Sequence, residues 1–301
     1  MIYQAGRIKR RGRIKRRRTR EQIEQLNRQI IDILRDDHPQ SVRHIFYRLT
    51  DPRLPEAVEK TEAGYEQVQA RLVKLRRDGV IPYGWISDMS RRGYFVDTFD
   101  GGGDFVRRMS SLYRSDLWAH ADEYCEVWCE SRSIAGVIQD DCRDLAVSLY
   151  PCGGFASISF VHEAAEEINN RDDERPVTVF YIGDYDPAGV LIDVALEREL
   201  REHLDPDIEL NFVRLGITPE QIEAYDLPTK ARKKTEKRAP EIERTVEAEA
   251  MPANMMRRIL RDAVEALLPA DALRVAKVAE QSEKAFLGSI ADILDKRTIR
   301  R

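Results

Sequence analysis

Three acidic residues, Glu130, Asp184 and Asp186, stand where apolar, β-prone stretches end. The run Val177–Ile182 is apolar enough to be a strand buried on both faces, and Asp184-Tyr185-Asp186 follows it directly. Alternate residues of an extended segment share a side, so the two aspartates face together if the strand continues through them. Carboxylates crowded outside a buried strand call for a cation, and oxygen ligands completed by water and phosphate suit magnesium. Pro187-Ala188-Gly189 then turns the chain. The same D-x-D-P composition is common in turns and helix caps, so metal binding and local capping both stay open on these residues alone.

A second candidate lies far upstream. Val42, Ile45, Phe46 and Leu49 recur at helical spacing and define one apolar stripe. Tyr47 is about 100° round the helix from Phe46, at or beyond the edge of that stripe. Arg43, four residues earlier, shares the face of Tyr47. A guanidinium so placed binds phosphate and favours the phenolate of a tyrosine nucleophile. The alternative is a ring packed on the core with its hydroxyl in water.

Three segments carry a resemblance to a known family: Val127-Trp128-Cys129-Glu130-Ser131, Gly153-Gly154-Phe155-Ala156-Ser157, and Tyr181-Ile182-Gly183-Asp184-Tyr185-Asp186-Pro187-Ala188-Gly189. Together they resemble the Toprim domain of topoisomerases, primases and some nucleases. The D-x-D-P-x-G form is similar to the A subunit of topoisomerase VI and its meiotic double-strand-break paralogue. Ser41-Val42-Arg43-His44-Ile45-Phe46-Tyr47 resembles the segment around that family's catalytic tyrosine. The resemblance covers about residues 21–260. It implies a magnesium-binding triad of Glu130, Asp184 and Asp186, with manganese able to substitute and Glu130 also placed as general acid or base. It implies that Tyr47 attacks double-stranded DNA and becomes joined to a 5′ end, with Arg43 beside it. It further implies a homodimer in which the tyrosine of one subunit works at the metal site of the other, and a separate ATPase subunit of the B type. Val246-Glu247-Ala248-Glu249-Ala250 is loosely similar to a late acidic motif of the family, and by itself reads as a surface helix. Gly101-Gly102-Gly103 has neither the spacing nor the lysine of a phosphate loop, so no ATP site is expected in this chain. Two rival functions remain open. One is a Toprim nuclease that hydrolyses DNA with a metal-activated water and dispenses with Tyr47. The other is a non-catalytic DNA-binding subunit whose carboxylates merely cap the sheet.

The elements that must position these residues read as an α/β protein. Thr19 and Gln22 have capping-box spacing and open a helix whose face is Ile23, Leu26, Ile30, Ile33 and Leu34. The Tyr47 helix comes second, and residues 63–77 form a third, closed by Gly79. Residues 80–86 and 94–99 are β-prone around a polar turn at 87–93. Three helices followed by a hairpin give a winged-helix order, with the third helix in the major groove and Arg71, Lys74, Arg76 and Arg77 on phosphates. An amphipathic connector occupies 101–122. From residue 123 strands alternate with helices, which implies a parallel, Rossmann-like Toprim sheet with its ligand site at the strands' carboxyl ends. Residues 230–238 read as a basic loop and 252–296 as a helical C-terminal extension. The expected division is therefore a basic disordered tail (1–20), a winged-helix DNA-binding domain (21–100), a connector (101–122), and a Toprim domain with its extension (123–301).

Charge points to the same partner. Residues 1–20 hold ten basic and no acidic side chains, so the rest of the chain must carry −14 to give the total of −4. Such density repels itself in the free state and is neutralised by a polyanion, which makes Arg16, Arg17 and Arg18 DNA-contact candidates. The four cysteines have no C-x2-C pair and read as buried, reduced thiols. No apolar run approaches the roughly 20 residues of a membrane span, and the basic N-terminus has no secretory apolar region. The expected setting is the cytoplasm, on DNA.

Overall fold

A computed structural model describes residues 18–87, 96–154, 158–232 and 238–298. Three helices open the described chain: α1 (Arg20–Asp36), α2 (Val42–Leu49) and α3 (Glu62–Arg77). Each starts on a hydroxyl cap. Thr19 forms the full capping box with Gln22, Ser41 accepts from the His44 N–H, and Thr61 accepts from the Gly64 N–H. Gly79 closes α3 in the left-handed region at φ 68°, while Val80 N donates to Leu75 O at 2.9 Å and Gly79 N to Arg76 O at 3.0 Å, a Schellman closure.

The expected first strand of a wing does not form. Tyr83–Trp85 is a turn of 3-10 helix, and only Ile86 bridges, in parallel, to Gln40. Pro82 has no N–H to give a ladder. Residues 96–99 pair with no strand among the described residues, and the remainder of the expected hairpin, 88–95, lies outside them, as do 1–17 and the 155–157 part of the glycine motif.

Helix α4 (Gly102–Ser110) occupies the expected connector and packs on the long C-terminal α10 (Ala272–Thr298). The α/β unit runs β1 (Tyr124–Cys129), α5 (Arg132–Asp144), β2 (Ser148–Pro151), α6 (Ile158–Asn169), β3 (Val177–Ile182), α7 (Gly189–His203) and β4 (Leu210–Gly216). All pairings are parallel, in the order β2-β1-β3-β4. Helix α8 (Pro219–Ala224), the two-residue strands β5 (Lys230–Ala231) and β6 (Arg244–Thr245), and α9 (Ala253–Glu265) follow.

Strand alternation sorts the core into two layers. Cys125, Val127, Cys129, Phe180 and Ile182 face α5 and α9, and this layer runs without a break into the α1–α3 core around Leu26, Ile30, Ile45 and Leu72. Trp128, Val177, Val179 and Tyr181 face α6 and α7. The sheet is thus covered on both faces, the Rossmann-like arrangement that its apolar central strand requires. A strand order of 2-1-3-4 puts the reversal of winding between β1 and β3, the place where sheets of this kind leave a crevice at their carboxyl ends. Glu130 follows β1 and Asp184 follows β3 at that place. No helix among the described residues is long and apolar enough to cross a membrane.

Candidate active site

The turn after β3 is built to hold charge. Gly189 lies against the Asp184 carbonyl so closely that a Cβ there would collide with it. From β4, Arg214 pairs with Asp193 at 2.5 Å and donates to the carbonyls of Gly183, Asp184 and Ile217, which laces the turn in place. Tyr185 stays extended and exchanges both backbone hydrogen bonds with Val246, at 2.8 and 2.9 Å. That bridge brings residues 246–250 onto the crevice. The expected surface helix there is instead a bridge residue followed by a buried 3-10 turn, Ala248–Ala250.

The aspartates have separate tasks. Asp184 Oδ1 accepts from Ala248 N at 2.8 Å, while Asp186 Oδ1 accepts from Ala188 N and Gly189 N at 2.8 and 2.7 Å and caps α7. Glu130 Oε2 accepts from Asp184 N at 2.8 Å. Burial and the neighbouring Glu130 push the Asp184 carboxyl up to about 8. Burial also raises Glu130, against the hydrogen bond from Asp184 N. Glu249, 6% exposed, is bound by the Ser133 hydroxyl and adds negative charge to the same crevice.

A cation would relieve this crowding, and the donor chemistry fits a hard one: carboxylate oxygens, with the buried Tyr181 hydroxyl, which has no hydrogen-bond partner among the described residues, close beneath Gly183. Even so, no three His, Cys, Asp or Glu side chains among the described residues form a ready metal-holding group.

Tyr47 lies beside this crevice in the same chain. It is 5% exposed, so it belongs to the buried face of α2 rather than its edge. Burial, then the charge and hydrogen bond of Glu247, hold its phenol well above the ordinary tyrosine range. Glu247 also pairs with Arg43 and, at 2.5 Å, with Lys230. Those two cations outweigh the effect of burial and keep its carboxyl below the usual range. The Nζ atoms of Lys60 and Lys230 stand 5.1 and 5.6 Å from the centre of the Tyr47 ring, and the Arg43 guanidinium stands 5.6 Å from that of Tyr65. These groups line an open cleft of about 200 Å³.

Comparison with protein families, characterised proteins and solved structures gives no match.

The structure therefore brings Arg43 and Tyr47 to one cleft, and Glu130, Asp184 and Asp186 to one turn beside it. The DNA-contact candidates divide differently. Lys74 pairs with Asp78 at 2.8 Å and Arg77 is exposed, whereas Arg71 is held by Asn27 at 2.9 Å and Arg76 lies over Tyr83. Arg18 ties α1 to the loop before α3 through Glu56, at 2.6 Å, and the Ala57 carbonyl. Arg16 and Arg17 lie outside the described residues. Sequence reasoning missed Lys60 and Lys230 and gave Glu247 only a loose place. No motif surrounds the two lysines, and Lys230 was legible only as part of a basic loop. Cys125, Cys129 and Cys142 are buried free thiols and Cys152 is half-buried.

Proposed function

We propose that the chain is a magnesium-dependent DNA-cleaving protein of the topoisomerase VI A-subunit kind, with α1–α3 as a winged-helix-like DNA-binding unit and Tyr47 as the nucleophile. The observation that carries this is the convergence of Tyr47, Arg43, Lys60 and Lys230 beside the acidic crevice of Glu130 and Asp184. A buried tyrosine with a raised phenol needs a base, and Glu247, kept ionised by Arg43 and Lys230, is the carboxylate that lines the same cleft and acts on its phenol. Glu247 takes the phenolic proton as the tyrosine oxygen forms its bond to phosphorus. The bond from phosphorus to the 3′ oxygen breaks, the DNA 5′ end stays on Tyr47, and the 3′ oxygen leaves as a hydroxyl with a proton from solvent, to which Glu247 returns the one it took. Arg43 and the lysines balance the charge that develops on the phosphoryl oxygens. Glu130 and Asp184 would hold magnesium, with Asp186 behind them as the cap of α7; when bound it supplies Lewis-acid stabilisation of the phosphoryl group and leaving oxygen.

Dimerisation belongs to the same reading. On α10, Val275, Phe286 and Ile293 are 59, 61 and 54% exposed and fall within about 20° of one another round the helix. A second copy covering that stripe would bury it.

Hydrolysis by a metal-activated water is the second reading, favoured by the way burial and Glu247 hold the Tyr47 phenol protonated. End-labelled duplex DNA, incubated with magnesium and resolved on a denaturing gel with and without protease, separates the two. Covalent protein on 5′ ends, lost in both Tyr47→Phe and Asp184→Asn, supports transesterification. Cutting that persists in Tyr47→Phe with no protein attached supports hydrolysis and overturns the nucleophile assignment.

A further inference from the structure

The cleft over Tyr47 is more cationic than a single attacking tyrosine requires. Three basic groups line it, Arg43, Lys60 and Lys230, and one partly buried carboxylate, Glu247, answers them. Glu62 also lines it but is exposed on the rim and is not among the charges that bear on Lys60. Glu249 also acts on Arg43 but does not line the cleft, and it is tied to Ser133. The surplus positive charge therefore sits on the lysine side.

Both lysines are fixed there. Lys60 Nζ donates to the carbonyls of Pro228 at 2.9 Å and Thr229 at 3.4 Å, and Lys230 is held by Glu247. Both ammonium groups stand over one tyrosine ring, close enough that Lys230, after burial, depresses the Lys60 ammonium. Two cations held together in a half-buried place gain from an anion between them. The amino end of α3, at Thr61, opens into the same cleft and adds its partial positive charge. The volume, about 200 Å³, is below the about 300–1,000 Å³ of pockets for drug-sized ligands. It suits a phosphate and the start of its sugar.

We propose that this cleft is a seat for a phosphomonoester dianion, gripped by Lys60, Lys230 and Arg43 against Tyr47. The dianion matches the excess of three cations over one carboxylate, whereas a backbone phosphodiester supplies one negative charge only. The two sources of such a group are the phosphorylated end of a DNA strand and a free nucleoside monophosphate. The seat stands whether or not the chain cuts DNA.

The test is fluorescence anisotropy on the full chain, in EDTA so that no cleavage intervenes. Identical labelled duplexes carry a 5′-phosphate, a 3′-phosphate or hydroxyl ends only. Contacts of the basic tail with the duplex are common to all three and cancel in the ratios. Wild type is expected to prefer a phosphorylated end by about tenfold, as charge-assisted contacts to an added dianion imply. Lys60→Gln and Lys230→Gln should each abolish that preference, and Lys60→Arg should restore most of it, which excludes mere misfolding. Asp184→Asn should keep it, because the crevice carboxylates are not part of the seat. Competition by adenosine monophosphate and inorganic phosphate, without any preference among DNA ends, supports the seat with a small-molecule source. Equal affinity for all three duplexes together with no competition from either small anion overturns the proposal. That result leaves the cleavage reading untouched, just as absence of cleavage leaves the seat untouched.

Discussion

Glu126 offers a sharp test of the packing described above. It sits inside β1 with no exposed surface, and its carboxylate accepts from Trp128 Nε1 at 2.8 Å and Tyr124 Oη at 3.1 Å. Burial nevertheless prevails over these donors and pushes the carboxyl from 4.5 up to about 7. A carboxyl raised by folding stabilises the fold most below its unfolded value, and that contribution disappears as pH rises through the folded value. With about 1.36 kcal/mol for each pH unit, the loss between pH 5 and 8 comes to about 2.5 kcal/mol. At about 2.1 cal/mol/K per residue of unfolding entropy, that corresponds to roughly 4 °C in Tm for a chain of this length. Glu126→Gln preserves the shape and can still accept from Trp128 while donating to Tyr124, but it cannot ionise. Asp184 titrates in the same range, so the quantity to read is the difference between the two proteins. Urea melts at pH 5, 6, 7 and 8 should show wild type losing about 2.5 kcal/mol more than the variant across the series. Parallel curves for the two would refute the burial argument and place water at Glu126.

Asp37 should anchor the N-terminal helices to the sheet unit. It is buried at the end of α1, pairs with Arg257 at 2.5 Å and accepts from Asn254 N at 2.9 Å, supplying α9 with the cap its own sequence lacks. Asp37→Ala leaves the Arg257 guanidinium with only Asp141 at 3.8 Å and the Val137 and Pro39 carbonyls, so a cost of about 3 kcal/mol by chemical denaturation is expected. Deletion of residues 1–17 removes eight of the ten tail cations and should flatten the salt dependence of DNA binding by about 0.9 for each phosphate that the tail neutralises. An unchanged slope would assign binding wholly to the folded part. Phe286→Glu places a charge in the exposed stripe of α10 and should convert a dimer to a monomer in light scattering, whereas an unchanged mass means that stripe is not the dimer interface.

What the sequence determined by itself was local. The strand at Val177–Ile182 is continuously β-prone and apolar, and it lies where its residues predict because a strand buried on both faces has only one pattern. The capping box at Thr19 and the helical stripe of α1 followed from spacing over three or four residues. The alternation of strands and helices was enough to expect the parallel sheet and to place Glu130 and Asp184 at its carboxyl end. The stretch 80–86, expected as the first strand of a wing, was misread because its β-prone composition meets a proline and a Schellman closure, which together favour a 3-10 turn.

The cleft was decided by tertiary structure. Arg43 and Glu247 are 204 residues apart, and Lys60 meets the Pro228 carbonyl across 168. No periodicity within either segment records the other. They meet because one apolar layer runs unbroken from α1 through α9 and draws α2 against the Ala248–Ala250 turn, and because Tyr185 bridges Val246. Burial of Tyr47, and with it the raised phenol, follows from that docking; a residue at the edge of one helix's stripe is covered only when a second element arrives.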